Sequence, residues 1–89
     1  MELNLNENVL LFFWTSWCGP CFEDGYLVEF QETTNIVYKK INVSDNPDMA
    51  KQFSVVVLPT YVYLKNNEQK FKLLGIQTKQ SLLNAFNSC

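Results

Sequence analysis

Two thiols separated by two residues, in Cys18-Gly19-Pro20-Cys21, are the most reactive constellation in this 89-residue chain. A pair at that spacing can close into a disulfide and reopen. The chemistry needs one thiol exposed and acidic and the other shielded within bonding reach. A helix start supplies both, because its free N–H groups and partial positive charge stabilise a thiolate. Cys18, at the turn, would be the nucleophile, and Cys21, inside the first helical turn, the resolving thiol. Attack by Cys18 on a substrate disulfide gives a mixed disulfide. Cys21 then attacks Cys18 and releases the reduced substrate.

Other uses of such a pair are weaker. Zinc needs two further ligands, and the chain offers only Cys89 and no histidine. An odd cysteine count without an export signal argues against a structural disulfide framework. Cys89, the last residue, reads either as a terminal thiol or as a regulatory or dimer-forming one. The absence of histidine also excludes histidine general bases and catalytic triads.

The net charge of −2 comes from nine acids against seven lysines, with no arginine. No basic patch is large enough for nucleic acid or an anionic membrane. The longest apolar run, Val9 to Trp14, is far short of the ~20 residues that span a bilayer. Met1-Glu2-Leu3-Asn4 lacks the basic start of a signal peptide, so a cytoplasmic location is expected. At 47% hydrophobic and 18% charged residues the chain can build a core, and its length suits a single domain over 1–89.

The elements that must hold the thiols follow from the pattern. Val9 to Trp14 reads as a strand buried on both faces, central in a parallel sheet. A helix opens near Pro20, with Phe22, Tyr26, Leu27 and Phe30 on one face, and breaks at Thr33-Thr34-Asn35. Ile36 to Val43 is a β-branched strand whose Lys39 and Lys40 suit an edge. Pro47 opens a short helix through Phe53. Thr60 to Leu64 and Gln69 to Leu74 form a hairpin about Asn66-Asn67, ended by Gly75. Thr78 caps a last helix burying Leu82, Leu83 and Phe86. The order β-α-β-α-β-β-α describes an α/β fold with a mixed sheet.

With Trp17-Cys18-Gly19-Pro20-Cys21, Lys40-Ile41-Asn42-Val43-Ser44-Asp45-Asn46-Pro47, Leu58-Pro59-Thr60 and Gly75 at matching spacings, the chain resembles the thioredoxin family over nearly its whole length. The resemblance implies a minimal thioredoxin-like sheet of four strands in the order 2-1-3-4, without the family's usual first strand and helix. It implies a cis Pro59, although an X-Pro bond is ordinarily trans. The backbone of Leu58 would then pair with a substrate strand. Trp17, Gly19, Pro20, Leu58, Pro59, Gly75 and Ile76 would form a flat apolar docking face. The substrates would be disulfide-containing proteins. No cofactor would be bound, and a thioredoxin reductase-like flavoprotein would supply electrons from NADPH to a monomer.

Three departures bear on mechanism. Phe12 stands where the family has a buried aspartate that relays the proton of the resolving thiol. Water or Lys40 would then substitute, although Lys40 reads equally well as a solvated edge lysine. Phe22 follows the motif where a basic residue is common, and the negative charge of Glu23 and Asp24, which come next, opposes thiolate formation. About three residues are also missing between Cys21 and Lys40, by comparison with the family. A glutaredoxin-like reductase fits the short fold, but the lone Gly75 and the absence of arginine count against a glutathione pocket. A binding subunit that docks through the same face without redox chemistry is the non-enzymatic alternative.

Overall fold

The computed structural model describes residues 8–17, 25–66 and 68–88. Within them lie β1 (Val9–Trp14), α1 (Gly25–Thr34), β2 (Val37–Asn42), α2 (Pro47–Gln52), β3 (Thr60–Lys65), β4 (Glu68–Leu74) and α3 (Lys79–Asn87). The sheet order is β2-β1-β3-β4. β1 runs parallel to β2 and antiparallel to β3, and β3 pairs antiparallel with β4. The order 2-1-3-4 expected from the sequence is therefore the order found.

β1 is central because its residues are apolar on both faces of the pleat. Leu10 and Phe12 point into one buried cluster with Leu27 and Phe30 of α1, Tyr61 and Tyr63 of β3, and Leu82 of α3. Val9, Leu11 and Phe13 point into the other, with Ile41 and Val62, and with Met49 and Phe53 beside α2. Each layer is what an alternating side-chain direction produces when both faces are covered. Burial of this kind is the main favourable term, about 25 cal/mol per Å² of apolar surface.

Element ends have local causes. α1 ends at Thr34, inside the expected break at Thr33-Thr34-Asn35, where Thr34 Oγ1 donates to the Phe30 carbonyl at 2.8 Å. The chain then leaves through Asn35 with φ of 61°, a left-handed conformation asparagine tolerates. β2 is one residue shorter at each end than the apolar run suggested, and α2 stops at Gln52 with Phe53 as its C-cap. Asn66 takes φ of 52° at the hairpin turn. α3 opens on a reciprocal cap: Ser81 N donates to Thr78 Oγ1 at 3.0 Å, and Thr78 N donates to Ser81 Oγ at 2.9 Å. α3 lies against α1 through Phe30 and Phe86, whose rings meet edge-on at 6.0 Å. Among the described residues no helix is long and apolar enough to cross a membrane.

The expected helix start at Pro20, the face position of Phe22, the second turn residue Asn67, and Cys18, Gly19, Cys21 and Cys89 lie outside the described residues.

Candidate functional site

Register puts the ends that matter on one edge of the sheet. Phe13 is level with Thr60, and Thr60 with Leu74, while Trp14 is level with Asn42. The last residues of β1, β2 and β4 and the first of β3 therefore share an edge. β1 leads from that edge through Thr15 and Ser16 to Trp17, the residue before the dithiol motif.

The strand-opening proline sits at the same edge. The Leu58–Pro59 peptide bond is cis, as the resemblance implied. Pro59 is buried, and half-buried Leu58 packs against both core clusters. Behind it, Thr60 Oγ1 donates to the Val57 carbonyl. The Gly75 N–H donates to the Pro59 carbonyl at 2.8 Å, tying the end of β4 to the proline loop. Gly75 takes φ of 79°, which only glycine adopts without cost. A Cβ there would meet nothing within 4 Å, so the requirement is conformational rather than steric.

Four of the expected docking residues thus gather at one edge. Pro59 and Gly75 are hydrogen-bonded, Leu58 precedes the proline, and Ile76 follows the glycine with 62% exposure. Trp17 is 74% exposed, although it is a large aromatic. Val56, at 87%, extends the apolar surface on the loop before Leu58. Large hydrophobics held out in water at one edge mark an interaction surface more than a fold requirement. The loop is held by Lys72 of β4, whose Nζ donates to the Ser54 carbonyl at 2.9 Å. Between this loop and α2 lies an open cleft of about 370 Å³, lined by Val43, Pro47, Ala50, Lys51, Val55, Val56 and Leu58.

Lys40 lies level with Phe12 on the edge strand. Its Nζ sits 4.9 Å from the Trp14 ring centroid and 6.0 Å from that of Phe12. The ammonium is thus drawn over two aromatic faces, a contact of about 0.5–1 kcal/mol at an exposed position. Lys40 is exposed on the edge strand, as a solvated edge lysine would be, and its ammonium also lies over these rings.

Two features escaped sequence reasoning. Thr15, between β1 and Trp17, is fully buried, and its hydroxyl has no hydrogen-bond partner among the described residues. Tyr26 of α1 and Tyr61 of β3 join through their hydroxyls. The Tyr61 ring also leans on Phe12, with centroids 5.2 Å apart. No local signal links residues 35 positions apart. A tyrosine on an apolar helix face reads as core, and so does one in a strand.

Comparison with known proteins agrees with this arrangement. The family model described as Thioredoxin matches residues 2–88. A thioredoxin from Mycoplasma genitalium is 34% identical over 86 residues, covering 92% of this chain and 82% of that one. A bifunctional thioredoxin reductase/thioredoxin from Mycobacterium leprae is 32% identical over 84 residues, covering 91% of this chain and 18% of that one. Among solved structures, a thioredoxin variant from Halobacterium salinarum superposes with a TM-score of 0.83 at 33% identity, covering 93% of this chain and 74% of that one.

Proposed function

The chain belongs to the thioredoxin family and is a thiol–disulfide oxidoreductase; from that premise we propose that Cys18 is the nucleophile and Cys21 the resolving thiol. Cys18 attacks a protein disulfide, forming a mixed disulfide and expelling one substrate thiolate. Cys21 then attacks the Cys18 sulfur. The Cys18–Cys21 bond forms, the bond to substrate breaks, and the second substrate thiolate leaves. Two electrons pass from the dithiol to the substrate.

The observation that carries this reading is the sheet end from which β1 runs on to Trp17. Leu58, Pro59, Gly75 and Ile76 stand at that end, and Trp17 immediately precedes Cys18 in the sequence. We assign them to substrate docking, with an extended substrate segment laid along Leu58. Gly19 and Pro20 complete the motif between the thiols. Lys40 supports the site from β2 as a fixed positive charge over Trp14.

As a thioredoxin-family member the chain needs no bound cofactor of its own. The Mycobacterium leprae relative carries reductase and thioredoxin in one name. It supports a separate thioredoxin reductase-like flavoprotein as the electron donor here, with NADPH acting through it. We further assign residues 1–89 to one domain that works as a monomer in the cytoplasm on protein disulfides.

The test is insulin reduction with dithiothreitol as electron source. The intact chain should accelerate precipitation of the reduced insulin chain, and Cys18→Ser should abolish the acceleration. Equal rates for the two proteins would remove Cys18 from its role.

A further inference from the structure

We propose that Lys51 makes this chain selective among protein disulfides, favouring those whose cysteine is flanked by an apolar residue and a carboxylate. The apolar side chain enters the cleft between α2 and the proline loop, and the carboxylate meets the Lys51 ammonium. The proposal rests on the thiol–disulfide reading above and narrows its substrate class.

The cleft and the docking edge are one continuous surface. Leu58 lines the cleft and also precedes Pro59 at the edge. A substrate segment laid along Leu58 therefore passes the mouth of the cleft. Val43, Ala50 and Val55 give the cleft an apolar wall, and Val56, 87% exposed, continues it onto the loop. A hydrocarbon side chain placed there removes apolar surface from water on both partners.

The charge at this cleft has one sign. Lys51 is the charged residue among those that line it. It stands in the last turn of α2, exposed, and its ammonium makes no hydrogen bond or ion pair among the described residues. A second cation lies on the same side of the sheet. Lys72 is level with Val62, which packs in the cluster beside α2. Lys72 Nζ donates to the carbonyl of Ser54, the residue before Val55. The acid of α2, Asp48, belongs to the first turn of the helix and does not line the cleft. The field at the mouth is thus locally positive, although the whole chain carries −2. A cation in a last helical turn also complements the helix dipole. That role would change stability and leave the ranking of substrates alone. Charges about 4 Å apart in water are worth about fivefold in binding, and salt weakens the effect.

The experiment uses the full chain carrying Cys89→Ser, reduced beforehand and freed of reductant. Its substrates are short peptides with one cysteine each, joined as symmetrical disulfides. They carry Leu-Glu, Leu-Gln, Leu-Lys or Ala-Glu beside the cysteine, in one set before it and in another after it. Chromatography of the released peptide thiol gives a second-order rate, divided by the rate of the same peptide with dithiothreitol to remove its own reactivity. In at least one set Leu-Glu should react about fivefold faster than Leu-Lys, with Leu-Gln between them and Ala-Glu slower than Leu-Glu. Lys51→Glu should reverse the order of Leu-Glu and Leu-Lys, and Lys51→Gln should bring the two together. Salt at about 0.5 M should shrink the charge preference and leave the preference for leucine over alanine. Lys51 is exposed, and Lys51→Gln keeps the test available if Lys51→Glu loosens α2. A Leu-Glu to Leu-Lys ratio that is unchanged in both folded variants overturns the role of Lys51. Equal rates for Leu-Glu and Ala-Glu in both sets overturn the use of the cleft. A Cys18→Ser chain that still reduces these peptides overturns instead the dithiol reading beneath the proposal.

Discussion

Thr15→Val should make the reduced protein more stable, an unusual direction for a substitution three residues from a reactive motif. The Thr15 side chain is fully buried, and its hydroxyl finds no partner among the described residues. An unpaired buried hydroxyl costs about 1–3 kcal/mol of desolvation. The methyl that replaces it adds about 0.8 kcal/mol of apolar burial. Allowing for imperfect fit in a dense interior, the net gain is about 1–2 kcal/mol. In a domain of this size that raises Tm by about 4–8 °C per kcal/mol. The urea midpoint moves up by about 1–2 M at a slope near 1 kcal/mol per M. Thr15→Ser is the control: it keeps the hydroxyl, deletes a methyl, and should lose about 1 kcal/mol. Urea unfolding followed by far-UV circular dichroism gives all three midpoints, in the expected order Val above Thr above Ser. A Thr15→Val midpoint at or below the parent's would show that the hydroxyl is satisfied in solution and would refute the reasoning.

Other positions test separate links. Ile76→Asp places a charge on the proposed docking face, and the KM for insulin should rise about tenfold while stability stays within about 0.5 kcal/mol; an unchanged KM removes Ile76 from the face. Gly75→Ala meets no steric neighbour, so its loss should be the left-handed backbone cost alone, about 1–2 kcal/mol by urea unfolding. Thr78→Ala deletes the reciprocal cap of α3 and should cost about 1 kcal/mol without altering insulin reduction. A larger loss would mean that α3 depends on Thr78 for more than its cap.

The legible parts of the chain were those whose signal is local. The unbroken run Val9 to Trp14 specified a strand covered on both faces, and it is central in the sheet. Thr78 ahead of an apolar-periodic stretch specified the start of α3. Lys39 and Lys40 specified an edge, and β2 is one. The cis state of Pro59 came from resemblance alone, since the residues by themselves favour trans. What stayed hidden depends on contacts between distant elements. Lys40 was expected either to help the proton or to face water; it is exposed, and what the sequence did not show is that packing of β2 against β1 brings its ammonium over Trp14. Tyr26 and Tyr61 each carry an apolar ring that satisfies its own element's pattern, so nothing local marks their hydroxyls as a pair. Thr15 reads as the polar end of a strand, and only the folded edge reveals its burial.

Dithiol exchange at Cys18 and Cys21 requires that Cys18 be the sulfur that first bonds to substrate. Cys21→Ser removes the resolving thiol, so incubation with insulin should leave a long-lived covalent adduct. Peptide mass spectrometry of that adduct should find the insulin cysteine linked to Cys18. Linkage through Cys89, or no adduct under conditions where the intact chain reduces insulin, would contradict dithiol exchange at this pair.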